Sequence, residues 1–338
     1  MAKHKIAFTT SGMADTSVIE RELGGLDYEM SVHVCTSPGE TMEAVKGADV
    51  IIAYGTEFPH EVVESIDTAL AIVSSGHGFD KIDDAAATEK GVMVTNTAGF
   101  CTEEVANHAM MLLLACAKKL VVLDRRTREG KWTGGSLGDL LPMPPLDGQV
   151  LGIVGLGNIG RSMARRAQAF GLEVIGYDRY VKPWLAKEVR VEMVAGLNEL
   201  ASRSDFVSMH TPLNDETRHL VGAAFFKAMK PAAYLINTSR GGTADEQALI
   251  EALKAGEIAG AGIDVFEEEP ASAGNPLFEM DNVIVTPHTA GLSTGAGERS
   301  QTRLGQETAR ILRGTLPMSL VNPEVWANIS ARLPATNA

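Results

Sequence analysis

Arg240, Glu269 and His288 are the side chains with which this sequence could hold an anion and move a proton. They stand in three short motifs, NTSRGG (Asn237–Gly242), DVFEEEP (Asp264–Pro270) and TPHTAG (Thr286–Gly291). Each motif follows an apolar, β-branched run that reads as a strand. The three residues are therefore expected at the carboxyl edge of one sheet, where open α/β sheets bind ligands. Reducing a carbonyl that sits beside a carboxylate needs three contributions. A guanidinium fork holds the carboxylate and polarises the carbonyl, which suits Arg240. An imidazolium gives a proton to the carbonyl oxygen, which suits His288. A carboxylate beside that ring favours its charged form and fixes its orientation, which suits Glu269. With a glutamate partner the imidazole pKa is expected to rise. Reduction would then fail as pH climbs through that value, and oxidation would be favoured on the alkaline side. The other acidic residues of the run, Glu267 and Glu268, are expected to be solvated.

A second constellation is Gly155-Leu156-Gly157-Asn158-Ile159-Gly160, a GxGxxG pattern. Such a pattern alone is weak, but here the strand-like VLGIVG (Val150–Gly155) precedes it and a helix-like stretch, Arg161–Phe170, follows. In that setting Gly155 permits the tight turn, Gly157 lets a pyrophosphate approach the backbone, and Gly160 allows close helix–strand packing. The helix N-terminus adds amide donors for phosphate. Asp178, at the end of the next strand, is placed to accept from adenosine ribose hydroxyls and to repel a 2′-phosphate. This favours NAD over NADP, although neighbouring Arg179 could offset the repulsion.

The elements that must position these residues fall into two series. Lys5–Thr9, Val50–Tyr54, Ala71–Ser74 and Val92–Thr95 read as buried parallel strands. Val150–Gly155, Glu173–Asp178, Phe206–His210, Ala233–Ser239, Gly260–Phe266 and Asn282–Pro287 form a second set, which fits an open, doubly wound sheet. Between the sets a single helix is expected from Glu103 to about Leu123, with Thr102 as its N-cap and Lys118 and Lys119 at its negative end. The Gly- and Pro-rich stretch Arg128–Gly148 reads either as a linker or as an arm that embraces a second subunit. The tail beyond Pro323 is expected to fray.

The composition limits the partners. The chain has 338 residues, enough for two domains, and is 45% hydrophobic and 22% charged, as in a protein with a real core. A formal charge of −13 and only 5% aromatics argue against nucleic acid and anionic membrane surfaces as partners. Cys35, Cys101 and Cys116 lack metal-site or disulfide spacing, so no metal is expected and a reducing, cytoplasmic location is. The N-terminus carries no apolar stretch of signal-peptide type. His60, His108 and His219 are expected to be structural, because nothing chemical converges on them. Cys116, within an apolar helix, reads as core.

Taken in order and spacing, GLGNIG, HTPLNDETRHLVG (His210–Gly222), NTSRGG, DVFEEEP and TPHTAG resemble the D-isomer-specific 2-hydroxyacid dehydrogenase family. The likeness extends from SSGHGFDKID (Ser74–Asp83) to VNPEV (Val321–Val325). FCTEEVANHAM (Phe100–Met110) is most similar to the C-terminal-binding-protein-like branch, beside the phosphoglycerate dehydrogenase-like one. The resemblance implies two Rossmann-like α/β domains with the active site in the cleft between them. The substrate domain would be discontinuous and flavodoxin-like, 1–101 plus 291–338, and the NAD domain would be 102–290. It implies the same roles for Arg240, Glu269 and His288, with Glu269 in place of the glutamine of formate dehydrogenases. It further implies that the amides of Gly76, His77 and Gly78 hold the substrate carboxylate and that Asp264 meets the nicotinamide carboxamide. Thr211, Pro212 and Thr217 would border the adenosine, and Thr238 and Ser239 the nicotinamide, with His210 also on the cofactor side. Cys101 and Ala98 depart from the residues many members carry, which bears on the local loop and not on the chemistry. The expected activity is hydride transfer between NAD(H) and a small D-2-hydroxy or 2-oxo acid, in a homodimer formed through the 103–148 helix and arm. The competing reading is an NAD(H)-sensing interaction protein.

Overall fold

The computed structural model describes residues 3–132 and 143–329. The middle of the stretch expected to form an arm, 133–142, and the last residues of the tail, 330–338, lie outside the described residues. The chain divides into two units, Met1–Cys101 with Ser293–Ala338, and Thr102–Leu292.

In the first unit five strands, β1 (His4–Thr10), β2 (Tyr28–Val34), β3 (Val50–Tyr54), β4 (Ala71–Ser74) and β5 (Met93–Thr95), pair in parallel in the order β2-β1-β3-β4-β5. This is the flavodoxin-like order. Alternation along the strands splits the core cleanly. Ala7, Ile51, Ile72 and Val94 pack on one face, and Ile6, Phe8, Ile52, Val73 and Met93 on the other, where Leu304 and Ile311 of the helix Thr294–Leu312 cover them. The edge strand β2, YEMSVHV, had no place among the expected strands. Its polar residues alternate with apolar ones of which Val32 and Val34 are exposed, so it lacks the continuous apolar run of its buried neighbours. The opposite edge, β5, is closed by the VNPEV segment: Asn322 Oδ1 accepts from Val94 N at 2.8 Å and its Nδ2 donates to Val92 O at 3.0 Å. Beyond Pro323 the chain is helical through Ile329, with Val325 and Ile329 buried, so the expected fraying does not begin there.

In the second unit seven strands, β6 (Val150–Val154), β7 (Glu173–Tyr177), β8 (Glu192–Met193), β9 (Phe206–Met209), β10 (Tyr234–Asn237), β11 (Gly260–Ile263) and β12 (Val283–Val285), form one parallel sheet. Their order is β12-β11-β10-β9-β6-β7-β8. The direction of winding reverses between β6 and β9, which opens a crevice at their carboxyl ends. The expected single helix is two. The first, Thr102–Ala117, packs Leu112, Leu113 and Cys116 against the sheet; the second is Leu120–Arg128, and the pair is bent by 61°. Lys119 turns the chain with φ of 50°, a left-handed conformation that no helix interior tolerates. Thr102 is the first helical residue and not the cap.

Candidate active site

The sequence folds locally so that three strand ends in the second unit present the chemistry. Arg240 follows β10. Its turn is shaped by Asn237, which is buried, accepts from Ser239 N and Oγ through Oδ1 (3.1 and 2.9 Å), and donates to Arg240 O at 3.1 Å. Gly241 then packs against the chain after β11 so closely that a Cβ would lie 1.9 Å from the Phe266 carbonyl carbon. Only glycine brings the Arg240 turn this near to the segment carrying Glu269. His288 follows β12 with φ of 53°, a sparsely populated region in which histidine is nonetheless enriched.

His288 and Glu269 meet directly, with Nδ1 and Oε2 2.6 Å apart. The other carboxylate oxygen accepts from Phe266 N at 3.0 Å, so the carboxylate is held from two sides. Partial burial works to raise the Glu269 carboxyl pKa. The His288 and Phe266 hydrogen bonds and the charges of His288 and Arg240 outweigh it, so the group lies below the ordinary carboxylate range. Glu269 is thus an anion around neutral pH, and the Nδ1 contact leaves Nε2 as the nitrogen free to face a reactant. Arg240 belongs to the same electrostatic cluster and donates Nη1 to Ser239 O at 2.8 Å.

Asp264, expected beside the nicotinamide, is fully buried, and its carboxylate is engaged by the chain itself. Thr286 Oγ1 and the amides of Thr289 and Ala290 donate to it at 2.5, 2.9 and 2.9 Å, and its own carbonyl accepts from His288 N at 2.8 Å.

At the carboxyl ends of β6, β9 and β10 the glycine turn forms as expected. Gly155 has φ of 91° and lies against His210, where a Cβ would come 2.7 Å from the carbonyl oxygen. Gly160 is pressed onto Gly155, and a Cβ there would meet its carbonyl oxygen at 2.1 Å. Gly157 faces open space, with nothing within 4 Å of a Cβ, at the start of the helix Asn158–Ala169. Asn158 Oδ1 accepts from Arg161, and Ile159 packs on the core beneath. Asp178 Oδ2 accepts from Leu156 N at 2.7 Å, while Oδ1 takes the amides of Tyr180 and Val181. It therefore braces the glycine turn. Arg179 pairs with Glu216 at 3.6 Å, and the Tyr180 hydroxyl bonds to the same carboxylate oxygen. Thr217 spends its hydroxyl on Pro212 O at 2.7 Å, which closes the loop after β9.

Three sealed polar atoms at this edge have no hydrogen-bond partner among the described residues: His210 Nδ1, Thr211 Oγ1 and Thr238 Oγ1. Desolvation pushes the His210 imidazole down to about 4, so the ring is uncharged around neutral pH. A cradle of amides at a helix start, an open face at Gly157 and unsatisfied buried donors and acceptors fit a dinucleotide.

In the first unit the Ser75–Gly78 loop is pinned by its carbonyls. Thr97 donates N and Oγ1 to Gly76 O and Ser75 O, Ser300 Oγ donates to Ser75 O at 3.0 Å, and Asn96 Nδ2 donates to His77 O at 2.7 Å. His77 Nδ1 accepts from Gly99 N at 3.3 Å. On the amide side, Gly76 N donates to Ser74 Oγ at 3.5 Å. Asn96, Thr97 and Ser300 were invisible to sequence reasoning, because no motif marks a residue that binds only another loop's carbonyls. His108, expected to be structural, lies beneath the His288 loop, with Nε2 2.9 Å from Thr286 Oγ1.

Comparison with known proteins gives this geometry its family. Residues 110–290 match the family described as D-isomer specific 2-hydroxyacid dehydrogenase, NAD binding domain. The chain is 41% identical over 285 residues to a glyoxylate reductase of Korarchaeum cryptofilum, covering 84% of this chain and 86% of that one. It is 38% identical over 319 residues to the D-3-phosphoglycerate dehydrogenase of Methanocaldococcus jannaschii, covering 94% of this chain but 59% of that longer protein. Among solved structures, the PH0520 protein of Pyrococcus horikoshii superposes with a TM-score of 0.86 at 30% identity, covering 97% of each chain. The chain therefore belongs to the D-isomer-specific 2-hydroxyacid dehydrogenases and is an enzyme that uses NAD.

Proposed function

We propose that the enzyme reduces a small 2-oxo acid to its D-2-hydroxy acid, or runs the reverse oxidation, with His288 as acid/base, Glu269 as its partner and Arg240 on the substrate carboxylate. The observation that carries this reading is the 2.6 Å pairing of His288 Nδ1 with an ionised Glu269 inside the charge cluster of Arg240. When bound, the dinucleotide supplies or takes up the hydride. Gly155, Gly157, Asn158, Ile159 and Gly160 would hold its pyrophosphate, Asp178 its adenosine ribose, and Thr211, Pro212 and Thr217 the adenosine side. His210, Thr238, Ser239 and Asp264 would lie toward the nicotinamide.

In the reducing direction Arg240 draws electron density toward the carbonyl oxygen. His288 Nε2 delivers the proton there as the new C–H bond forms at C2, and Glu269 stabilises the imidazolium before that step. In oxidation the neutral imidazole takes the hydroxyl proton. The amides of Gly76, His77 and Gly78 are assigned to the substrate carboxylate, on the strength of the carbonyl-pinned geometry of their loop. The names of the relatives point to glyoxylate and related short oxo acids as the substrate class. We also assign a homodimer through the helices Thr102–Ala117 and Leu120–Arg128, supported by the exposed Met111, Leu120 and Phe170, which line one groove there. A cytoplasmic location is supported by three buried, unbridged cysteines.

The test is NADH oxidation with glyoxylate, hydroxypyruvate, pyruvate and larger oxo acids, repeated with NADPH. Turnover with at least one short oxo acid is expected. Tight NADH binding with no turnover across the panel would overturn the reading.

A further inference from the structure

We propose that His108 is a positioning residue for His288, acting through Thr286 and Asp264; the inference rests on the assignment of His288 as acid/base. The argument begins with one proton. Asp264 is a fully buried acceptor: its two carboxylate oxygens take the amides of Thr289 and Ala290, and Thr286 Oγ1 donates to Oδ1 at 2.5 Å. A carboxylate only accepts, so the single hydroxyl proton of Thr286 is committed to Asp264. His108 Nε2, 2.9 Å from the same hydroxyl, must therefore be the donor, whichever charge the ring carries. The same nitrogen stands 3.5 Å from Asp264 Oδ1, so its N–H faces the buried carboxyl group as well as the hydroxyl.

Asp264 in turn sets the catalytic loop. Its carboxylate gathers the amides of Thr289 and Ala290, and its carbonyl gathers the amide of His288. These bonds flank a histidine held at φ of 53°. Such a conformation persists only where its surroundings over-determine it. His108 is the donor in this set that comes from outside the loop. It sits on the helix Thr102–Ala117, which Leu112, Leu113 and Cys116 fix to the sheet, and its side chain is 15% exposed. Removing its N–H leaves Thr286 Oγ1 with Asp264 as its one remaining partner, which loosens the anchor of the loop that holds His288 against Glu269. A misplacement of about 1 Å at a reacting group costs on the order of 100-fold in rate.

The test uses the full chain and 2-oxo-acid reduction, with NADH affinity measured separately by fluorescence titration. His108→Leu is expected to lower kcat about 10- to 100-fold while the NADH dissociation constant stays within about twofold of wild type. His108→Gln, which carries an amide N–H to a similar place, recovers most of the rate. Thr286→Val reproduces the loss, Thr286→Ser does not, and the double variant His108→Leu/Thr286→Val is no slower than the worse single one. The proposal is overturned by wild-type kcat in His108→Leu, by additive losses in the double variant, or by a loss of NADH affinity equal to the loss of rate. Should His108→Leu fail to fold, wild-type kcat in Thr286→Val overturns it. Undiminished turnover in His288→Ala overturns the assignment of His288 and this proposal together, whereas strong dependence on His288 with an inert His108→Leu overturns this proposal alone.

Discussion

Adding one methyl group at each of two glycines separates what the nucleotide turn does for the fold from what it does for the cofactor. In Gly160→Ala the new Cβ would lie 2.1 Å from the Gly155 carbonyl oxygen, about 1.3 Å short of the 3.4 Å at which ordinary contact begins. Both partners are backbone, so the helix start must lift off the turn. Overpacking of this kind costs about 1–3 kcal/mol, and the better helix propensity of alanine returns at most about 1 kcal/mol. A clash between backbone atoms this deep belongs at the upper end, so a net loss of about 2 kcal/mol, at about 2–4 °C per kcal/mol for a unit of this size, should lower the melting temperature by roughly 4–8 °C. The same lift withdraws amides from the phosphates, so NADH affinity falls too. In Gly157→Ala nothing lies within 4 Å of the new methyl, and the residue's φ of −67° suits alanine. Stability should change by less than about 1 kcal/mol, the cost of alanine at a helix cap. The methyl does, however, occupy the space through which the pyrophosphate reaches the amides. Losing one charge-assisted hydrogen bond of about 1.5–3 kcal/mol weakens NADH about 10- to 100-fold. Calorimetry and NADH fluorescence titration on the two variants decide the matter. Wild-type NADH affinity in Gly157→Ala, or an unchanged melting temperature in Gly160→Ala, would refute the reasoning.

Further expectations concern the catalytic edge and its neighbours. His288→Asn should lower kcat/KM about 10²- to 10⁴-fold with NADH affinity nearly intact, and equal losses in both would remove it from proton transfer. Glu269→Gln keeps a hydrogen bond to His288 but not the charge, so kcat for oxo-acid reduction should fall about tenfold or more; an unchanged kcat would separate Glu269 from His288. Arg240→Lys replaces a planar fork by a point charge and should raise the oxo-acid KM about tenfold or more, with NADH binding as the control. For His210 the folded value of about 4 lies below the ordinary 6.5, so between these the unfolded chain binds a proton that the folded chain refuses. Stability contributed by the neutral ring is full above pH 6.5 and is lost as pH falls toward 4, by on the order of 1–3 kcal/mol. His210→Gln should flatten that part of the melting-temperature profile, and an unchanged profile would show that other groups set it.

The buried strands and the glycine turn were legible in the sequence because their signals are local. A β-branched run, a turn residue and a helix start lie within a few positions of one another, as in Val150–Gly160. The pairing of Glu269 with His288 beside Arg240 could be anticipated for the same reason, since each of the three stands in a short motif that follows a strand. What escaped was set by tertiary contact. The edge strand Tyr28–Val34 needs no continuous apolar run, because only its neighbour β1 pairs with it. The break at Lys119 carries no glycine or proline to announce it. His108 looks like one polar residue on an apolar helix, and its partners Thr286 and Asp264 stand far along the chain; only the fold brings the three within hydrogen-bonding distance.

The most direct test of the catalytic assignment follows one deuterium. NADH labelled at nicotinamide C4 is incubated with the enzyme and hydroxypyruvate or pyruvate, and the product is analysed for position of label and for configuration. The account predicts the label on C2 of a D-2-hydroxy acid, with the hydroxyl proton drawn from solvent and the whole conversion dependent on His288. Label lost to water, a product of L configuration, or equal conversion by His288→Asn would contradict it.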